Sequence, residues 1–299
     1  MVRVLILLLA ASLALPAVAD AQRRRQRRGG NQPQQENGET APAPTLSDLE
    51  EIAPKLRSAN PDEVREAIDL LSIIDRPEVI PHLGDLLRSG QPDPITDRTL
   101  EALGGLGHAD AIEVLTVFTH HRRVGARRRA YEALAAIDDR RVRPILETGL
   151  SDSERSVRGT TALALGEMGA RDSLDILFRA FERGVVEAAI AIGKLGNRQS
   201  VTRFTEHLGQ RPLAIMLSGY HEFLRRNDIP NEVKTDIVGR LGEVSGPMVK
   251  RFLQDYATTF SERDRSDLRR QVDETIRRIP DAPIGTSAAP TAAPAGGEQ

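Results

Sequence analysis

Three series of apolar residues recur along this chain in one shared register. Leu71, Leu103, Leu134, Leu165 and Ile192 are spaced 32, 31, 31 and 27 residues apart. Ile74, Leu106, Ile137, Met168 and Leu195 repeat those spacings, as do Leu83, Leu115, Leu146, Leu177 and Phe204. A fixed period of this size marks a repeat architecture, in which each unit is too small to bury its own apolar face. Such units fold by stacking on their neighbours, so the expected body is a stack and not a sphere.

The units share one grammar. A helical stretch ends at Asp75, Gly107, Asp138, Gly169 or Gly196, and a short polar turn follows. A second stretch then carries apolar residues at i, i+3 and i+4 spacing, as in Leu174, Leu177, Phe178 and Phe181. Glycine at a helix end adopts the left-handed backbone without steric penalty. Pro77, Pro81 and Pro144 stand near the starts of second helices, where a missing N–H costs little. The first helices are rich in Ala, among them Ala102, Ala130, Ala133, Ala162, Ala164, Ala188, Ala189 and Ala191. Small side chains bring neighbouring helices to the short end of the roughly 8–10 Å interaxial range. The pattern predicts about fifteen helices in about seven helix-pair layers, roughly 70–80 Å of stack.

Residues 46–57 read as one amphipathic helix capped by Ser47 or Asp48. Residues 213–226, 232–241, 247–260 and 263–279 read as four more helices, beyond the point near 210 where the register is lost. The last alternates Arg263, Asp264, Arg265, Asp267, Arg269 and Arg270, a polar face that suits a terminal cap.

Both ends of the chain read differently. Residues 1–21 resolve into Arg3, an apolar run over 4–15, Pro16 and the small residues Ala17, Ala19 and Ala21, the plan of a cleaved signal peptide. The run is too short to span a bilayer comfortably, so no transmembrane segment is expected after cleavage. Residues 22–45 form a basic and polar linker, predicted to be disordered. Its block of Arg23, Arg24, Arg25, Arg27 and Arg28 is able to hold an anionic envelope surface, at about 1 kcal/mol per charge. Residues 280–299 are an Ala/Pro-rich tail, also predicted to be disordered. The 299 residues include no Cys, which rules out disulfides, thiolate metal sites and a cysteine nucleophile. A cysteine-free exported chain suits an oxidising bacterial periplasm or the medium outside the cell.

Residues 150–169, LSDSERSVRGTTALALGEMG, carry a turn Asp152, then Val157-Arg158, Ala162, Ala164-Leu165-Gly166 and Met168-Gly169. This pattern resembles a HEAT repeat, and in particular the short HEAT-like units of phycobilisome-lyase-type proteins. The likeness covers residues 60–210, with weaker copies in the other units. It implies an all-α, α-α superhelix. Helices opening with Val-Arg line the concave face in that family, so Arg65, Arg98, Arg128, Arg158 and Lys194 are expected on or near it. The resemblance also implies that Arg65 and Arg158 pair with a turn Asp of a neighbouring unit. Gly125 to Arg129 departs from the pattern by replacing Val-Arg with GARRR.

Chemistry is sparse. Of six His residues none lies in a metal-binding helix pattern, and His120 and His121, being adjacent, point apart. His221-Glu222 is a single His-Glu pair, whereas the HEAT-like iron hydroxylase of deoxyhypusine uses several. Gly104-Gly105-Leu106-Gly107 follows a helical pattern and not the strand that a phosphate loop needs. No catalytic, metal or cofactor site is therefore assigned. One charge cluster stands out. Arg122, Arg123, Arg127, Arg128, Arg129, Arg140, Arg141 and Arg143 stand against only Glu132, Asp138 and Asp139 in the same window. This local excess is the candidate contact for a protein partner, an acidic one by complementarity. Nucleic acid is not expected, since the chain is exported, near neutral and lacks aromatic stacking residues here. The reading is an exported, non-catalytic interaction scaffold. Two alternatives remain, a lyase-type or metal-dependent HEAT-repeat enzyme subunit and a structural envelope component.

Overall fold

The computed structural model describes residues 43–280 except 262. The expected signal peptide, most of the linker and the tail beyond 280 lie outside the described residues. All elements below belong to the unit Pro44–Gln299.

The fold is all-α. Fifteen α-helices occur among the described residues, and the one β interaction there is an isolated bridge between Leu208 and Arg211. The helices are α1 (Leu49–Ile52), α2 (Pro61–Ile73), α3 (Val79–Arg88), α4 (Asp93–Leu106), α5 (Ala111–Phe118), α6 (Val124–Ala135), α7 (Val142–Gly149) and α8 (Arg155–Glu167). They continue with α9 (Leu174–Glu182), α10 (Ala188–Leu195), α11 (Arg198–Thr205), α12 (Leu213–Arg225), α13 (Asn231–Val244), α14 (Pro247–Ala257) and α15 (Asp267–Arg278). From α2 onward they alternate as first and second members of seven pairs, ending with α14 and α15.

Hydrophobic burial explains the register. Leu71, Leu103, Leu134, Leu165 and Ile192 are fully buried, and so are Leu83, Leu115, Leu146, Leu177 and Phe204. Of the series that begins at Ile74, Ile74, Leu106, Ile137 and Leu195 are buried, and Met168 is partly buried and packs against the core from its edge. One first-helix residue therefore meets one second-helix residue in each layer, and apolar burial welds the pair.

Small residues decide which helices approach most closely. First helices pack along their successors in an unbroken row, α2 on α4, α4 on α6, α6 on α8, α8 on α10 and α10 on α12. A Cβ built on Gly104 would lie 2.7 Å from the Ala133 Cα, and one on Gly166 would lie 3.0 Å from the Ala191 Cα. On Gly193 it would strike the Gly219 carbonyl oxygen. Beyond α12 the close contact passes to the second helices, with α13 against α15. There Gly242 faces Thr275, and a Cβ on it would be 2.9 Å from the Thr275 methyl.

Three local expectations are corrected. Residues 46–57 are not one α-helix but a 3-10 turn (Leu46–Asp48), α1 and a second 3-10 turn (Ala53–Arg57). Pro54 has no N–H to extend the α ladder, so the chain tightens there. The cap is Thr45, whose backbone N–H and hydroxyl donate to the Asp48 carboxylate at 2.7 and 2.9 Å. Among the first-helix ends, Gly107 (φ 65°) and Gly169 (φ 73°) are left-handed, but Gly196 is not. Gly196 is there for room: a Cβ would lie 2.6 Å from Ser200 and 2.8 Å from the Phe223 ring.

Candidate functional site

Helix α6, its two flanking turns and the first turn of α7 carry the basic strip, and six of its eight arginines already face carboxylates. Arg123 meets Asp97 at 2.5 Å and Asp93 at 3.0 Å, both on α4. Arg129 reaches the same Asp97 at 3.1 Å. Arg127 grips Asp152, in the turn before α8, with Nε at 2.8 Å and Nη2 at 2.9 Å. Arg128 pairs with Glu132 one turn along its own helix, at 2.5 Å. Arg141 forks onto Asp139 at 3.0 and 2.9 Å. Arg143 lies between Glu147 (3.6 Å) and Asp172 (3.5 Å). Arg122 and Arg140 are exposed, and neither is in a direct ion pair among the described residues, although the charge of Arg140 acts on Asp139.

The positive excess counted along the sequence is therefore not an excess in space. Asp93, Asp97, Glu147, Asp152 and Asp172 all lie outside residues 122–143, and they face the strip from adjacent layers or from α7. Arg122 and Arg140 also stand apart, in the turns before and after α6, so they do not continue one another.

Arg127 is held twice. Besides Asp152, its Nη1 donates to the carbonyls of His121 (3.1 Å) and Arg122 (3.4 Å) in the turn before its helix. Arg158, 31 residues on, does the same to Asp152 (2.7 Å) and Ser153 (2.8 Å). Arg127, not Arg128, thus stands in the place of Arg158, and Ala126-Arg127 is the Val-Arg of its unit. Of Arg65, Arg127 and Arg158, only Arg127 makes the pairing with a neighbouring turn Asp. Arg158 bonds only its own turn, because the residue 25 beyond it is Arg183 where Arg127 finds Asp152. Arg65 pairs with Asp62 in its own helix. Arg98 reaches back to Asp69 on α2 at 2.6 Å, and Lys194 to Glu167 on α8.

These bonds tune the acids. Burial raises the Asp97 carboxyl, but hydrogen bonds and charge from Arg123, then Arg129, outweigh it and hold the group below its usual range. Asp152 behaves alike under burial, Arg127 and the Glu154 N–H. Hydrogen bonds from the Arg141 side chain and backbone lower Asp139 to about 2. A carboxyl whose pKa is depressed in the fold stabilises it above the ordinary value of 3.8, and that stability is lost as pH falls through the folded value. The melting temperature should therefore be flat from neutrality to about pH 5 and fall below about pH 4. A melt followed by circular dichroism across that range checks this; a melting temperature that rises on acidification contradicts it.

The histidines are dispersed. His108 lies 3.0 Å from Asp75, His121 stacks on Phe118, His207 meets Phe181 edge-on and His221 meets Phe252. No group of three or more His, Asp or Glu able to hold a metal ion occurs among the described residues. A shallow cavity of about 290 Å³ runs over the turns following α8, α10 and α12, and Arg171, Arg198, Arg226 and Asp228 are among its lining. Arg226 forks onto Asp228 and donates to the Gly193 and Gly196 carbonyls, so it closes the ends of helices. No described helix is long and apolar enough to cross a membrane.

Stacked helix pairs tied by ion pairs between layers define an α-α helical-repeat protein. The HEAT-repeat family model matches residues 83–156 and again 112–191, so that stretch carries HEAT repeats. No curated protein matches this chain in sequence. Among solved structures, the CpcE–CpcF complex of phycocyanin lyase from Nostoc sp. is similar at 17% identity, covering 84% of this chain and 100% of that one, with a TM-score of 0.42. Human deoxyhypusine hydroxylase in complex with glycerol is similar at 18% identity, covering 78% of this chain and 96% of that one, with a TM-score of 0.39. A homology model of the full-length AP-3 complex gives 13% identity and a TM-score of 0.52 over 77% of this chain and 50% of that chain. The likeness is one of fold.

Sequence reading missed the partners of the arginines. The signal was present one period away: reading Asp97 and Asp152 beside residues 122–129 reveals them.

Proposed function

We propose that this chain is an exported, non-catalytic scaffold that offers the face of its first helices to a protein partner. The observation that carries the reading is the row itself. Six successive first helices, α2 to α12, are held in register by buried anchors and by layer-to-layer ion pairs, so their outward side chains form one preformed surface. Preformed surfaces spend little free energy on ordering when they bind. Arg98, Glu101, Arg128, Glu132, Thr160 and Leu163 lie on that surface. A standard interface of about 1,200–2,000 Å² spans several such layers. Of the basic strip, Arg122 and Arg140 remain for acidic groups of a partner at the two edges of α6. The signal-like first 21 residues support export to a periplasm or beyond, and the arginines of 23–28 support contact with an anionic envelope surface.

Photo-cross-linking in intact cells tests the reading. A cross-linking residue at Glu101, Glu132 or Leu163 on the first helices should trap the same protein. One at Glu113 or Arg179 on the second helices should not. Equal trapping from both faces, or trapping from the second helices only, sinks the proposal.

A further inference from the structure

Five residues before the anchors Leu103, Leu134, Leu165 and Ile192 stand Arg98, Arg129, Thr160 and Glu187. Six residues before them stand Asp97, Arg128, Gly159 and Val186. Between α4 and α6 these two positions meet as an ion pair, Arg129 on Asp97. Between α8 and α10 the same two positions meet again, with the sign reversed and the partner missing. Glu187 lies against Gly159, where a Cβ would be 2.7 Å from the Glu187 Cδ and 3.0 Å from each of its carboxylate oxygens. The glycine is the seat of the carboxylate.

Glu187 Oε2 is buried, and no donor among the described residues reaches it. The residue occupies the N-cap of α10, yet its side chain makes no capping bond. A buried carboxylate oxygen without a donor bears a desolvation cost that nothing inside the fold repays. One helical turn beyond Gly159, Leu163 is 36% exposed, one of few large apolar side chains that are. An anion with an unfilled bonding position and an apolar knob thus stand side by side on the first-helix face, where the α4–α6 layer closes its pair with Arg129 and Asp97.

We propose that the Glu187–Gly159 seat, with Leu163 beside it, receives an arginine or lysine of a protein partner next to an apolar residue. This rests on the scaffold reading and names the partner's chemistry at that point of the face. The incoming cation would make from outside the ion pair that Arg129 and Asp97 make within the fold two layers earlier. Arginine suits the seat better, because its guanidinium is more weakly hydrated than an ammonium and enters a partly covered site at lower cost.

The test uses the full chain and an array of 15-residue peptides with arginine beside leucine, each printed next to its citrulline twin. Citrulline keeps the shape and removes the charge. The best binder is then titrated in solution. The arginine peptide should bind at least about tenfold more tightly than its twin, a difference of about 1.4 kcal/mol. Glu187→Gln should lose the same factor while melting no lower than the parent, because the charge it removes has no partner in the fold. Leu163→Ser should weaken binding several-fold. An array without arginine-selective peptides, full affinity in Glu187→Gln, or a melting temperature several degrees lower in that variant each overturns the proposal. These failures leave the face contrast of the cross-linking experiment untouched, and that contrast alone decides the scaffold reading.

Discussion

Leu165→Ala should destabilise the stack by about 2–5 kcal/mol. Leu165 is fully buried on α8, between Ala164 and Gly166, and Gly166 rests on Ala191 of α10. Backbones this close cannot collapse further to fill the space left by a leucine, so the cavity term adds to the lost transfer energy. In a chain of this size the loss should appear as a fall of roughly 5–15 °C in the melting temperature. The damage should centre on α7 to α10, since each layer of a repeat protein is stabilised by its neighbours. Hydrogen exchange resolved by peptide maps that region. Leu163→Ala, two residues earlier and 36% exposed, is the control, with an expected cost within about 0.5 kcal/mol. If the two variants melt alike, the register of buried anchors is wrong.

The second large effect falls on Arg127. Its side chain is 12% exposed and that of Asp152 is 9% exposed, so Arg127→Met strands a carboxylate inside the seam between layers. Removing one partner of a buried pair costs about 3–5 kcal/mol, and this partly solvated pair belongs at the lower end. Arg127→Lys keeps the charge but loses the fork and the turn carbonyls, so it should recover only part of the loss. Arg127→Met with Asp152→Asn should recover more, because no uncompensated charge is left. Arg122→Met, five residues away on an exposed arginine, should be near neutral. Urea unfolding of the four variants separates these outcomes. A cost under about 1 kcal/mol for Arg127→Met would mean the pair is solvated. Charge changes at Arg127 are a poor probe of partner binding, since they loosen the layers.

How much was legible follows from the range of each interaction. Helix type and count, the seven pairs and the anchors were readable, because apolar burial repeats at the helical period within each unit. The last two pairs were visible as helices but not as repeats. There the close row switches to α13 and α15, and Gly242 sets a spacing the earlier register does not contain. The turn around Pro54 was missed because the apolar pattern of residues 46–57 outweighed one missing N–H. The arginines of 122–143 were found, but most of the carboxylates that face them lie outside that stretch, where a count along the chain does not reach.

The sequence by itself determined that this protein is a row of helix pairs and which face of each helix is buried, since those depend on neighbours three and four residues away. Only the tertiary structure decided which charges are satisfied. Arg127 finds Asp152 and Glu187 finds only Gly159, because layer contact joins residues about 25 to 30 positions apart, and the residue type standing there decides whether a charge is paired.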